Sequence, residues 1–123
     1  MKNVLIIEDN EDNCVLIKRL MEKSGYQVLI AVNGQMGFDM ATETEPNFIL
    51  LDVQLPDMGG IEVLGMLRAS ERTKDTPVIA ITSHAMAGDR GRFLDAGCNG
   101  YIEKPIDPTN VVQQIEQVIG VSA

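Results

Sequence analysis

Hydrophobic and polar positions along the chain alternate between two patterns. Residues 4–7, 26–32, 48–51 and 78–81 form short apolar runs that are rich in β-branched side chains, and a weaker run follows at 100–102. Continuous runs of this length predict strands covered on both faces, as in a parallel sheet. The stretches between them carry a helical period. In the first, Cys14, Ile17, Leu20 and Met21 share a face while Lys18, Arg19, Glu22 and Lys23 lie elsewhere, and the pattern stops at Gly25, a residue suited to a C′ position. Further helices are predicted over 34–44 (ending before Pro46), 61–72, and 86–96 (ending at Gly97). In the last, Val111, Val112, Ile115, Val118 and Ile119 fall at helical spacing before Gly120. Five strand–helix units predict an α/β fold, a doubly wound five-stranded parallel sheet with five helices and right-handed crossovers. In such sheets the functional crevice lies beyond the carboxyl ends of the strands, where the strand order reverses.

The length of 123 residues predicts one domain over 1–123. Ten basic against eighteen acidic residues give a net charge of −8, which counts against direct nucleic-acid binding, because phosphate recognition needs a basic stripe. The longest unbroken apolar run, 28–32, is far short of the ~20 residues of a membrane span. Glu8 arrives too early for a secretory signal. Cys14 and Cys98 are too few for a disulfide framework or a zinc site and read as packed thiols, so a cytoplasmic protein is expected.

Candidate chemistry lies where the strands end. The first run ends in Glu8-Asp9, the third in Asp52 and the fourth in Thr82-Ser83, and the fifth leads into Lys104-Pro105. Carboxylates held together repel, and a hard divalent cation such as Mg²⁺ offsets the repulsion while leaving a position for a substrate phosphate. Lys104 supplies a point charge for phosphoryl oxygens and Thr82 a hydroxyl donor. A carboxylate can itself be the nucleophile and form an aspartyl-phosphate. Each piece has a plainer reading. Glu11 and Asp12 suit a solvated first helical turn, Asp52 a turn, Thr82 and Ser83 a helix cap, and Lys104 an ordinary loop. The signal is their joint occurrence at successive strand ends.

Four segments then resemble the response-regulator receiver domain of chemotaxis-regulator type, over essentially the whole chain. They are Val4-Leu5-Ile6-Ile7-Glu8-Asp9-Asn10, Leu50-Leu51-Asp52-Val53-Gln54-Leu55-Pro56-Asp57-Met58-Gly59-Gly60, Ala80-Ile81-Thr82-Ser83-His84-Ala85-Met86, and Gly100-Tyr101-Ile102-Glu103-Lys104-Pro105-Ile106. Details such as Asp9-Asn10 with Asn13 resemble receivers of phosphorelays and hybrid kinases. The resemblance implies a flavodoxin-like fold with strand order 2-1-3-4-5 and a phosphorylation-dependent switch of a two-component system or phosphorelay. It implies Asp52 as phosphoacceptor, and Mg²⁺ (with Mn²⁺ able to substitute) held by Glu8, Asp9, Asp52 and the Gln54 backbone carbonyl. Thr82 and Lys104 would grip the phosphoryl oxygens, and Tyr101 would turn inward when Thr82 moves. Gln54 and His84 would modulate the phosphoryl lifetime, and Lys104-Pro105 matches a bond usually cis in the family. Helix 4, strand 5 and helix 5 would form the readout surface. The chain would catalyse its own phosphorylation and slow dephosphorylation rather than act as a conventional enzyme. Its partners would be a sensor histidine kinase or histidine phosphotransfer protein and a downstream protein target, with the unphosphorylated protein a monomer.

Two positions depart from the family pattern. Glu8 stands where Asp is frequent and keeps the charge, and Gly59 stands where Asp is frequent and is expected to loosen the turn. A dinucleotide-binding fold is disfavoured because no G-x-G-x-x-G follows the first strand, and Gly34-Gln35-Met36-Gly37 reads as a helix start. A phosphatase of the haloacid-dehalogenase type also uses Asp, Mg²⁺, Thr and Lys but needs D-x-D on its first strand, where this chain has Asp9-Asn10-Glu11. A degenerate receiver would not be expected to retain Asp52, Thr82 and Lys104 together. His84, the sole histidine, has no neighbour in sequence suited to activate it as a phosphoacceptor.

Overall fold

Apolar runs that must hide both faces assemble edge to edge, with helices closing over each side. In the computed structural model, which describes residues 2–82, 89–104 and 106–120, five such strands form one sheet. They are β1 (Asn3–Ile7), β2 (Gln27–Ala31), β3 (Phe48–Asp52), β4 (Val78–Thr82) and β5 (Gly100–Glu103). All pairings are parallel, in the order β2-β1-β3-β4-β5, a flavodoxin-like arrangement. The helices are α1 (Glu11–Lys23), α2 (Gly34–Thr44), α3 (Gly60–Ala69), α4 (Asp89–Asp95) and α5 (Val111–Ile119).

Strand alternation divides the core in two. Leu5, Ile7, Ile49 and Leu51 face one layer with Ala41 of α2, Val63, Leu64 and Leu67 of α3, and Phe93 of α4. Val4, Ile6, Phe48 and Leu50 face the other with Ile17 and Met21 of α1 and Val111 and Ile115 of α5. The chain leaves β1 for β2 on one side and returns to β3 on the other, so the carboxyl ends of β1 and β3 flank the switch point.

Local signals set the helix limits. Asn10 caps α1 by accepting the Asn13 N–H at 3.0 Å, and α1 ends at Ser24 before Gly25, whose φ of 95° needs a residue without a β-carbon. Glu11 and Asp12 lie exposed in the first turn of α1, as solvated acids at a helix start do. Gly59 precedes α3 in extended backbone with open space around it, so the turn does not depend on glycine there.

Two expectations are corrected. β2 is not covered on both faces: Val28, Leu29 and Ile30 are half-buried because β2 is an edge strand. The third helix stops at Ala69 rather than at residue 72. The Leu67 carbonyl accepts the buried Thr73 hydroxyl at 2.6 Å. Arg68 clasps the Thr73 carbonyl at 3.0 Å, the Gly97 carbonyl at 2.9 Å and Asn99 Oδ1 at 3.1 Å. These bonds turn the chain out of the helix at Ser70, whose ψ is 132°. The thiols of Cys14 and Cys98 are buried and free, as the sequence suggested. No helix among the described residues is long and apolar enough to cross a membrane.

Candidate functional site

The end of β1 carries the first acid. The Glu8 N–H donates to the Ala31 carbonyl at 2.9 Å, which prolongs the strand ladder by one residue and turns the Glu8 side chain into the crevice, 2% exposed. Asp9, the next residue, is exposed. Asp52 is the last residue of β3 and is 7% exposed. One carboxylate oxygen from each of Glu8, Asp9 and Asp52 lies within 4.8 Å of the others.

Lys104 follows β5 directly, and its N–H donates to the Thr82 carbonyl at 2.6 Å, which fixes both at the crevice rim. Its Nζ lies 2.9 Å from Glu8 Oε1 and 3.8 Å from Asp52 Oδ2. The lysine expected to meet a phosphoryl group therefore pairs with the acids themselves. The Gln54 N–H donates to Asp52 Oδ1 at 3.1 Å, and Asn10 N–H makes a long contact of 3.5 Å with Glu8 Oε2. Cys14, also buried, donates its thiol to the Glu8 carbonyl at 3.4 Å.

Two buried carboxyl groups, Glu8 and Asp52, share one ammonium in a partly desolvated space, and their ionisation shows it. Burial pushes the Asp52 carboxyl up to about 7, and the adjoining Glu8 adds to the rise, against the Gln54 N–H and Lys104. Burial would raise Glu8 as well, but hydrogen bonds from the Asp52 side chain and from Lys104 outweigh it and hold Glu8 below its ordinary value. Asp52 is thus the proton-holding partner of the pair. A hard cation would displace that proton, and an all-oxygen donor set of clustered carboxylates suits Mg²⁺.

The remaining candidates are placed as follows. Thr82 closes β4, 1% exposed, in register with Glu103. Tyr101, the ring expected to turn inward, lies buried in this structure, tilted against Phe93 of α4 with centroids 5.9 Å apart. Gln54 is exposed and pairs with Gly59 across the loop after β3. Ser83, His84, residues 86–88 of the expected fourth helix and the Lys104–Pro105 bond lie outside the described residues. A groove of about 440 Å³ between α1 and β2 shares Asp9 with the crevice, but its other walls are Glu11, Cys14, Val15, Lys18, Ile30 and Val32, so it lies beside the acidic centre rather than within it. Sequence reasoning passed over Asp57, whose carboxylate takes both the Gly34 and the Gln35 N–H. An acid in the Pro56-Asp57 turn opposite the Asn33-Gly34 helix start was its one sequence signal.

A family model described as the response regulator receiver domain matches residues 4–116. The polar-differentiation response regulator DivK of Brucella anthropi is 41% identical over 119 residues, 97% of each chain. The solved receiver domain of a sensor histidine kinase from Pseudomonas aeruginosa, with magnesium coordinated in its active-site cleft, is 31% identical, covers 98% of each chain and superposes with a TM-score of 0.88. The chemotaxis protein CheY4 of Vibrio cholerae shares the fold, with a TM-score of 0.90 at 24% identity over 96% of this chain and 98% of its own. With identity sustained at this level from end to end, the chain belongs to the response regulator receiver domain family, the phosphorylation-dependent switches of two-component signalling.

Proposed function

We propose that Asp52 accepts a phosphoryl group from a phosphohistidine on a sensor histidine kinase or histidine phosphotransfer protein. The observation that carries this reading is the convergence of Glu8, Asp9, Asp52 and Lys104, from three strand ends, in one crevice. Glu8, Asp9, Asp52 and the Gln54 carbonyl would hold Mg²⁺, or Mn²⁺ in its place, and the cation would neutralise charge on the transferring group. The magnesium in the Pseudomonas receiver domain supports that assignment.

In the transfer, an ionised Asp52 oxygen attacks phosphorus. The new P–O bond forms as the P–N bond breaks, and the partner's imidazole leaves with the electron pair. The Gln54 N–H steadies the Asp52 carboxylate, and burial keeps bulk water from the nucleophile. Lys104 exchanges its hold on Glu8 for a phosphoryl oxygen, and the Thr82 hydroxyl takes another. Because Lys104 N–H is bonded to the Thr82 carbonyl, a shift of Thr82 reaches β5 and Tyr101 and alters the surface of α4, β5 and α5 that a downstream protein reads. Gln54 and His84 tune how long the phosphoryl group persists. The unphosphorylated protein acts as a cytoplasmic monomer without contacting nucleic acid.

Urea unfolding tests the cation site. Mg²⁺ at about tenfold its Kd should add ~1.4 kcal/mol of stability over EDTA, because only the folded arrangement gathers the ligands. A midpoint that Mg²⁺ moves no further than a matched monovalent salt does would remove the site.

A further inference from the structure

Asp57 stands near the tip of the loop that leads from Asp52 to α3, and no role above uses it. Its Oδ1 accepts the Gly34 N–H at 2.7 Å and its Oδ2 the Gln35 N–H at 2.9 Å. These are donors of the first turn of α2, which the helix cannot satisfy itself. The next donor, Met36 N–H, goes to Asn33 Oδ1 at 2.8 Å. A carboxylate that takes one donor on each oxygen, at the positive end of a helix, is fixed in orientation as well as position.

The contact is tight on its inner side too. A β-carbon at Gly34 would lie 2.5 Å from Met58 Cγ, so the loop rests directly on the helix start. The neck of the loop is closed separately. Gln54 pairs with Gly59, and the Gly60 N–H donates to the Val53 carbonyl at 3.1 Å. Gln54 thus belongs to the closed neck, with the clamped tip three residues beyond it at Asp57, and its own N–H holds Asp52 Oδ1. Without the clamp, the loop beyond Gln54 would lose its hydrogen bonds to α2 and keep only the neck pair and the packing of Met58 on Gly34.

We infer that Asp57 is a positioning residue: by bracing the loop after β3 against α2 it fixes the Gln54 backbone, and through it the Asp52 carboxylate, for cation binding. The inference rests on the cation site proposed above. Outer groups that orient ligands typically change metal affinity by about 10–100-fold when removed.

The test is Mg²⁺ titration of the ¹⁵N-labelled full chain by amide NMR, for wild type, Asp57→Ala, Asp57→Asn and Asn33→Ala. Asp57→Ala should raise the Mg²⁺ Kd about tenfold. Asp57→Asn, which keeps one acceptor oxygen, should raise it less, and it serves as the probe if Asp57→Ala does not fold. In both, the Gly34 and Gln35 amide protons should move upfield as their carboxylate partner is lost. Asn33→Ala removes a cap bond from the same helix without touching the loop, so it should lower the urea midpoint and leave the Kd in place. A Kd for the Asp57 variants within about twofold of wild type, or an equal rise in Asn33→Ala, would reduce Asp57 to an ordinary helix cap and overturn the inference. A wild type that binds no Mg²⁺ would instead overturn the cation site on which it stands.

Discussion

In EDTA at pH 7.5, Asp52→Asn is expected to resist urea better than wild type, by about 2–4 kcal/mol, and the advantage should shrink towards pH 4. The sign follows from the raised Asp52 carboxyl. Its ordinary value of 3.8 rises to about 7 in the folded protein, so the native state binds a proton that the unfolded chain releases. That preference stabilises the fold fully below about pH 4, and the benefit is lost as pH climbs through 7. The whole interval corresponds to a ceiling of about 4 kcal/mol, and part of it returns because Glu8, held below its ordinary value by the same contact, favours the fold at higher pH. The asparagine amide can donate to Glu8 as the protonated acid does, without the charge. The variant should also gain less from Mg²⁺. Parallel pH profiles for the two proteins would show that Asp52 is an ordinary solvated carboxylate.

Lys104→Met should have the opposite sign. The lysine is 14% exposed at its side chain, the Glu8 side chain 3% and the Asp52 side chain 8%, so the pair is largely out of water. Removing one partner of a buried pair leaves an uncompensated charge, which costs about 3–5 kcal/mol at full burial. Here some solvent reaches the site, and a loss of about 2–3 kcal/mol in EDTA at neutral pH is expected. The deficit should narrow as pH falls through about 7, where Asp52 takes up its proton, and in saturating Mg²⁺, where a second cation stands in for the ammonium. Mg²⁺ should bind this variant more tightly than wild type, because Nζ no longer competes for Glu8 Oε1. An unchanged midpoint in EDTA, checked by urea unfolding, would refute the pairing.

The strand ends were legible because parallel sheets bury their strands so thoroughly that a charged residue at the end of an apolar run stands out. Glu8, Asp52 and Lys104 were found in this way, and the topology brought them together. Helix stops at Gly25 and Gly120 were legible for a local reason, the left-handed φ that glycine accepts. What escaped depended on distant partners. The apolar content of β2 matches that of a central strand, and nothing in it announces that one edge lacks a neighbour. The early end of α3 depends on Thr73, Gly97 and Asn99 meeting Arg68, as far as 31 residues away. Asp57 reads as a turn residue until α2 is seen across from it, and the pairing of Lys104 with Glu8, 96 residues away, shows only once the fold brings their strand ends together.

The claim on which the rest depends is that Asp52 is the phosphoacceptor. Intact mass measurement after incubation with acetyl phosphate or phosphoramidate and Mg²⁺ tests it directly, for wild type and Asp52→Asn side by side. Wild type should take up one phosphoryl group per chain, transiently and only with the cation, and Asp52→Asn should remain unmodified. Equal labelling of the two proteins, or continued turnover of the small phosphodonor by Asp52→Asn, would contradict the account.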